Sequence, residues 1–233
     1  MRRIATLALV TAALAASAVV AYAAQSPKAL QASIVAAVRA QRSVHWSATE
    51  VIGGLALKTG TDAARTGGVQ HVTFAVGNQE GHIRIVAAGG VAYVQGDALG
   101  LRLNLNLTQP QATKYAGQWI SIPKSDKASK STVDGDTMAT VAHDLVPHGR
   151  LSLVSGKLHG ARVIGVRGIS GKGKKKVAEA VLVHAHGKPL PIEEDIFAPG
   201  KSALGHTTFS KWNEAVKVTA PASSTPIATV RAS

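Results

Sequence analysis

The sequence predicts an α+β domain, one large antiparallel sheet with two or three helices on one side. Three observations carry this. Segments alternating with period two recur about every ten residues, with Gly- or Asn-containing turns between them. A stretch with helical period precedes them, and a shorter one divides them into two sets. Successive strands are not separated by long crossovers, so the spacing belongs to an antiparallel meander and not to βαβ units.

Taken in order, residues 1–23 read as a secretory signal peptide. Arg2 and Arg3 precede an uncharged run from Ile4 to Val20, and Ala21-Tyr22-Ala23 supplies a small-x-small cleavage pattern. Retention as an anchor is the alternative, because residues 4–27 carry no charge and are long enough to cross a bilayer. Either route puts the folded part outside the cytoplasm, secreted or in a periplasm-like space. Ser26-Pro27 then resembles an N-cap with proline at the first helical position. Leu30, Ile34, Val35 and Val38 make an amphipathic helix ending near Arg42.

From Ser43 the period is two. Strands are predicted at 45–52, 55–61, 69–76, 82–87 and 91–95, with Gly53-Gly54 and Gly89-Gly90 as hairpin turns. Residues 97–117 stay open: Leu99, Leu101, Leu103, Leu105 and Leu107 alternate strictly, yet Asp97-Ala98 equally begins a helix. A short strand at 118–122 and polar residues 124–136 lead to a helix at 137–145, ending before Pro147 and Gly149. Strands follow at 150–155, 161–169, 177–186, 190–197, 206–212 and 214–219. One domain, residues 24–221, results, with 222–233 as a loose Pro-, Ser-, Thr- and Ala-containing tail.

Composition narrows the function. Without residues 1–23, whose only charges are Arg2 and Arg3, 210 residues remain and the net charge falls from +13 to +11. The excess favours anionic partners such as a phospholipid surface, or simply solubility, and export argues against nucleic acid. The absence of cysteine excludes disulfides, thiol nucleophiles, thiolate metal sites and lipid attachment through a cysteine.

Ser170-Gly171-Lys172-Gly173-Lys174-Lys175-Lys176 has the glycines and lysine of a phosphate loop without its spacing or its final Ser/Thr. It reads as a hairpin tip on which Lys172, Lys174, Lys175 and Lys176 meet solvent or an anionic membrane surface. His184 and His186 share a strand face, and Glu193, Glu194 or Asp195 offers oxygen ligands, but nothing fixes a third ligand in space. Asp144 with His143 and His148 lacks a nucleophile turn. Glu193-Glu194-Asp195 is not a positioned acid/base pair, because adjacent strand residues diverge to opposite faces. The expectation is a non-enzyme with no cofactor and no metal.

The closing run Thr207 to Pro221, with Lys211-Trp212-Asn213-Glu214, resembles the closing strands of the actinobacterial LppX/LprG-type envelope proteins, relatives of the LolA lipoprotein carrier. Val91-Ala92-Tyr93-Val94, Gly117-Gln118-Trp119-Ile120 and Leu190-Pro191 fall in the matching order. The resemblance implies a curved antiparallel half-barrel whose concave face is covered by helices, enclosing the acyl chains of a lipid or glycolipid. Val72, Phe74, Ile83, Ile85, Val91 and Tyr93 would line that space in a monomeric carrier. Lipoprotein members carry a cysteine at the mature N-terminus, and this chain has none. A protein-interaction or sensory module with a filled core is the alternative on the same fold.

Overall fold

The computed structural model describes residues 25–126, 132, 137–171, 176–198 and 203–233. The signal-peptide expectation for residues 1–23 lies outside them. Helix α1 (Pro27–Arg39) opens as the sequence predicts, with the Ser26 hydroxyl accepting from Ala29 N–H and Pro27 in the first turn. Leu30, Ile34 and Val38 form its buried stripe.

The first meander is β1 (Ser43–Ile52), β2 (Leu55–Ala64), β3 (Gly67–Val76), β4 (Gln79–Ala88) and β5 (Val91–Gly96). Gly53-Gly54 and Gly89-Gly90 take positive φ at both positions, the turn that matches strand twist in two-residue hairpins. The ambiguous leucine run is helical: α2 (Ala98–Leu105) and α3 (Gln109–Tyr115) follow β5. The Asp97 carboxylate caps Gly100 N–H at 2.7 Å, Asn106 ends α2 in the left-handed region, and Thr108 with Gln111 forms a capping box. Leu101 and Leu105, four apart, are buried while Leu103 is exposed.

After β6 (Ile120–Pro123) comes α4 (Met138–Asp144), capped by Thr137 as expected. The second set is β7 (Arg150–Leu158), β8 (Ala161–Ser170), β9 (Val177–His184), β10 (Pro191–Phe197) and β11 (Ala203–Ser210). With β12 (Thr225–Pro226), the described strands form one open, curved sheet in the order β12-β6-β5-β4-β3-β2-β1-β11-β10-β9-β8-β7. Among them only β12 pairs in parallel, with β6. The half-barrel expectation holds.

Register puts both apolar clusters on the same, concave face. Val44 pairs with Ala63, Leu57 with Phe74, Val72 with Ile83, and Trp46 with Phe209, so these side chains point one way. One cluster joins β3–β6 to α2 and α3 through Phe74, Ile85, Val94, Leu101 and Leu105. The other joins β1, β8, β9 and β11 to α1 and α4 through Ile34, Val38, Val141, Val166 and Val181.

Two C-terminal expectations are corrected. Residues 214–219 are not a strand, because β1 already has β2 on one edge and β11 on the other. Lys211 and Asn213 take positive φ and turn the chain out of the ladder after Ser210, and Trp212 stacks on Phe209 at 6.3 Å. Asn213 then ties this exit to β1: its N–H donates to Ser43 O, and its Oδ1 accepts from Arg42 N–H. From there the chain passes Gly67, near Val218, and reaches β6, where Thr225 N–H donates to Trp119 O at 2.8 Å. The tail is not loose. Helix α5 (Ile227–Arg231) buries Ile227 and Val230 in the first cluster, and Arg231 pairs with Asp126 at 2.6 Å. Composition concealed this, since two apolar residues three apart suffice to seat one turn.

Deleting residues 225–233 should cost roughly 3 kcal/mol or more, the burial of two aliphatic side chains; an unchanged urea midpoint for the truncated chain would contradict this packing. At Gly100 an added Cβ would stand 2.5 Å from His82 O, a backbone atom. Gly100→Ala should therefore lower the melting temperature, although alanine is the better helix former by about 1 kcal/mol.

Candidate functional site

The two clusters leave part of the concave face uncovered. There, between α4 and strands β1, β9, β10 and β11, lies a cleft of ≈ 350 Å³. Its apolar walls are Trp46, Val141, Leu145, Ile196 and Phe209. The Trp46 Nε1–H is buried without an acceptor among the described residues, so a ligand oxygen there would satisfy an otherwise unpartnered donor.

Three glutamates stand in the same cleft, each from a different strand. Glu50 continues the inward phase of Trp46 and Ala48 on β1; Glu179 precedes Val181 and Val183 on β9; Glu194 precedes Ile196 on β10. Ile196 lies opposite Glu179, and Glu194 opposite Val181, so the two carboxyls are diagonal neighbours on adjacent strands. Burial pushes the Glu194 carboxyl up to about 8, helped by the Glu179 charge and by a hydrogen bond between the two groups, with Asp144 and Glu50 adding in the same direction. Burial also raises Glu179, against the pull of that hydrogen bond and of His148. Glu194, held neutral, donates its proton to Glu179, and the two acids carry one negative charge between the ionisation of Glu179 and that of Glu194.

A second hollow of ≈ 650 Å³ lies on the other side of the α4 C-terminus, sharing His143 and Asp144 with the first. Its lining of Thr66, Thr137, Thr140, Lys124 and small residues offers few hydrocarbon contacts. The smaller cleft is the better apolar site.

The residues proposed to line a lipid space stand elsewhere. Val72, Phe74, Ile83 and Ile85 do face the concave side, but they are buried in the cluster under α2 and α3. Ile83 also borders a shallow surface hollow with His71 and Gln95. Val91 and Tyr93 point to the opposite face of β5, because Ile85 pairs with Val94 and Ala87 with Ala92. Val91 borders the larger hollow at the sheet's lower edge. Lys176 is exposed at the start of β9, while Lys172, Lys174 and Lys175 lie outside the described residues.

The acidic triplet divides as strand geometry demands. Glu194 faces the cleft, and Glu193 and Asp195 face the other side, where His206 Nδ1 lies 3.6 Å from Glu193 and 2.8 Å from Asp195. Burial beside Asp195 raises the Glu193 carboxyl. That trio, rather than His184 and His186, is where the described residues bring three metal-type ligand atoms within 4.8 Å of one another. His143 Nδ1 meets Asp144 at 3.0 Å on an exposed stretch of α4.

Glu50, Glu179, Trp46 and Phe209 were missed. The signal was present: β1, β9 and β10 each place a glutamate in the otherwise apolar phase of an alternating strand.

No family model and no curated protein sequence matches the chain. Among solved structures it is similar to LprF from Mycobacterium bovis, with a TM-score of 0.52 and 11% identity over 84% of this chain and 97% of that one. An uncharacterized conserved protein from Thermus thermophilus gives 0.44 and 12%, covering 87% and 98%. The MucA/MucB complex of Pseudomonas aeruginosa gives 0.38 and 11%, covering 80% and 56%. The likeness to LprF shows a related fold.

Proposed function

We propose that this chain is an exported, non-enzymatic binding protein of the cell envelope that takes one acyl chain of a lipid or glycolipid into the cleft beneath α4. The observation that carries the reading is an apolar hollow on the inner face of the half-barrel, equipped with an indole N–H that has no acceptor among the described residues and with a proton-sharing acid pair. Hydrocarbon needs dry, non-directional contact, at about 0.8 kcal/mol per buried methylene. The polar groups would hold an ester or hydroxyl at the mouth. At ≈ 350 Å³ the cleft falls at the small end of the ~300–1,000 Å³ range of ligand pockets, which suits a single chain better than a multiply acylated lipid. Export rests on residues 1–23, and the fold likeness to LprF is consistent with an envelope role. The solid packing under α2 and α3 supports a second reading, a protein-interaction module that binds no lipid.

The two readings separate in one titration. A fluorescent single-chain acyl probe should bind the wild type and be displaced by lysophospholipid, and Ile196→Trp, which fills the cleft from a half-buried position outside the core cluster, should weaken it by roughly tenfold or more at little change in melting temperature. Equal affinity in wild type and variant would remove the cleft from the argument, and no binding by the wild type would leave the interaction module.

Glu194 also makes a pH prediction. Its folded value of about 8 lies above the 4.5 of a free glutamate, so between them the folded state binds more protons than the unfolded chain. That contribution to stability is complete below about 4.5 and is lost as pH rises toward 8. Glu194→Gln should flatten the decline of melting temperature across this window. Probe affinity should fall near pH 8 in the wild type only, since the Glu179–Glu194 pair then gains its second charge. Parallel melting curves for the two proteins would show that Glu194 ionises normally.

A further inference from the structure

Antiparallel strands bring the β1–β2 turn, the β3–β4 turn, the end of β8 and the start of β9 to one end of the sheet, its upper end. Five large aliphatic side chains are exposed among the described residues, and four of them lie there: Val51 at 52%, Ile52 at 59%, Val76 at 42% and Ile169 at 37%. Exposed aliphatics scattered singly need no explanation, but a concentration at one end does. The two hairpin tips end level: Val51 lies opposite Ala56 and Ala56 opposite Ala75, and β3 runs on to Val76 before its own turn, so Val51, Ile52 and Val76 stand side by side. Exposed Lys58, Arg150 and Lys176 stand around this end; exposed Glu80 has His82 Nε2 within 3.7 Å, and Glu50 and Glu179 turn to the concave face in the cleft.

We propose that the upper end docks on an anionic bilayer, with Val51, Ile52 and Val76 passing between the headgroups while the cations meet lipid phosphates. Adjacent hairpin tips with exposed aliphatic side chains and cations around them need no complementary groove in a bilayer, whereas a protein partner would have to supply one. The chain's net charge of +13 draws it to such a surface, and Lys58, Arg150 and Lys176 orient it. Ile52 lies two residues above Glu50 on the same strand face, and Glu50 lines the cleft. If the cleft reading holds, on which this last step rests, a docked protein places the cleft mouth against the lipids and a chain transfers without crossing water.

The test is flotation with vesicles of equal parts phosphatidylglycerol and phosphatidylcholine, compared with pure phosphatidylcholine, all proteins being prepared in one form so that any contribution of residues 1–23 is common to them. Wild type should float with the anionic vesicles, and Val51→Ser/Ile52→Ser/Val76→Ser should bind on the order of a hundredfold more weakly, with melting temperature and acyl-probe affinity unchanged. As a gentler probe, Ile52→Trp should keep binding, and the fluorescence of the introduced indole should shift to the blue with anionic vesicles. Undiminished flotation of the triple variant, or no spectral shift, overturns the proposal. So does a wild type that ignores vesicles while the triple variant loses only self-association or binding to another protein. Ile196→Trp separates the two ideas: vesicle binding that survives loss of the acyl probe means the docking surface stands without dependence on the cleft.

Discussion

Coverage of the concave face is the constraint on which this molecule depends. The twelve described strands, at ~4.8 Å spacing, span about 50 Å along the curve, and a helix covers only about 10 Å of that width. Helices α1 to α4 have 13, 8, 7 and 7 residues and cannot roof the whole face. They gather in pairs over the two flanks, α2 with α3 and α1 with α4. Each pair builds its own core, and beside the core of α1 and α4 the inner face of β1, β9, β10 and β11 remains partly open. The cleft is therefore a consequence of sheet width and helix length before any ligand is considered.

What lines the opening departs from what packing alone would select. A glutamate in the inward phase of a half-buried strand costs stability, because desolvation disfavours its charge. Three such residues on β1, β9 and β10 multiply the problem, and sharing a proton between Glu179 and Glu194 limits it. The shared proton leaves the Glu179–Glu194 pair with one negative charge against apolar walls, near an indole N–H with no partner among the described residues. A sequence selected only for stability would put valine at these positions, as it does at Val166, Val181 and Val183. The exceptions fall together in space although they are far apart in the chain, and this concentration marks the site.

The strands and the first helix were legible because their signals are local: a Ser-Pro cap, two Gly-Gly turns, and alternation that survives in β3. Residues 97–117 were ambiguous because five leucines in strict alternation satisfy both periods in part. Asp97, Asn106 and the Thr108–Gln111 box settle the matter through backbone capping. Orientation of β5 was misread for a different reason. Val91 and Tyr93 are larger than Ala92, but facing is set by the two-residue turn, which pairs Ala88 with Val91 and sends Ala92 and Val94 inward. Val86 obscured the phase further, being buried on the opposite face from Ile85. The cleft was illegible as a place because its walls come from residues 46 to 209, and only register brings them together.

Why one flank is solid and the other hollow follows from how closely each helix can approach the sheet. Under α2, side chains are missing where backbones meet: a Cβ on Gly81 would lie 2.7 Å from Gly100 N, and one on Gly96 would overlap His82 O. These glycines let α2 settle onto β4 and β5 until Leu101 and Leu105 fill the interval, which is why Val72, Phe74, Ile83 and Ile85 are core. Helix α4 contains no glycine, and where its Val141 stands over Trp46 and Phe209 the cleft lies between them. The same fold can thus close or open a flank by where it places its smallest and largest residues. In this chain the inner space that a half-barrel offers has moved away from the β3–β5 flank, toward the strands that carry the glutamates.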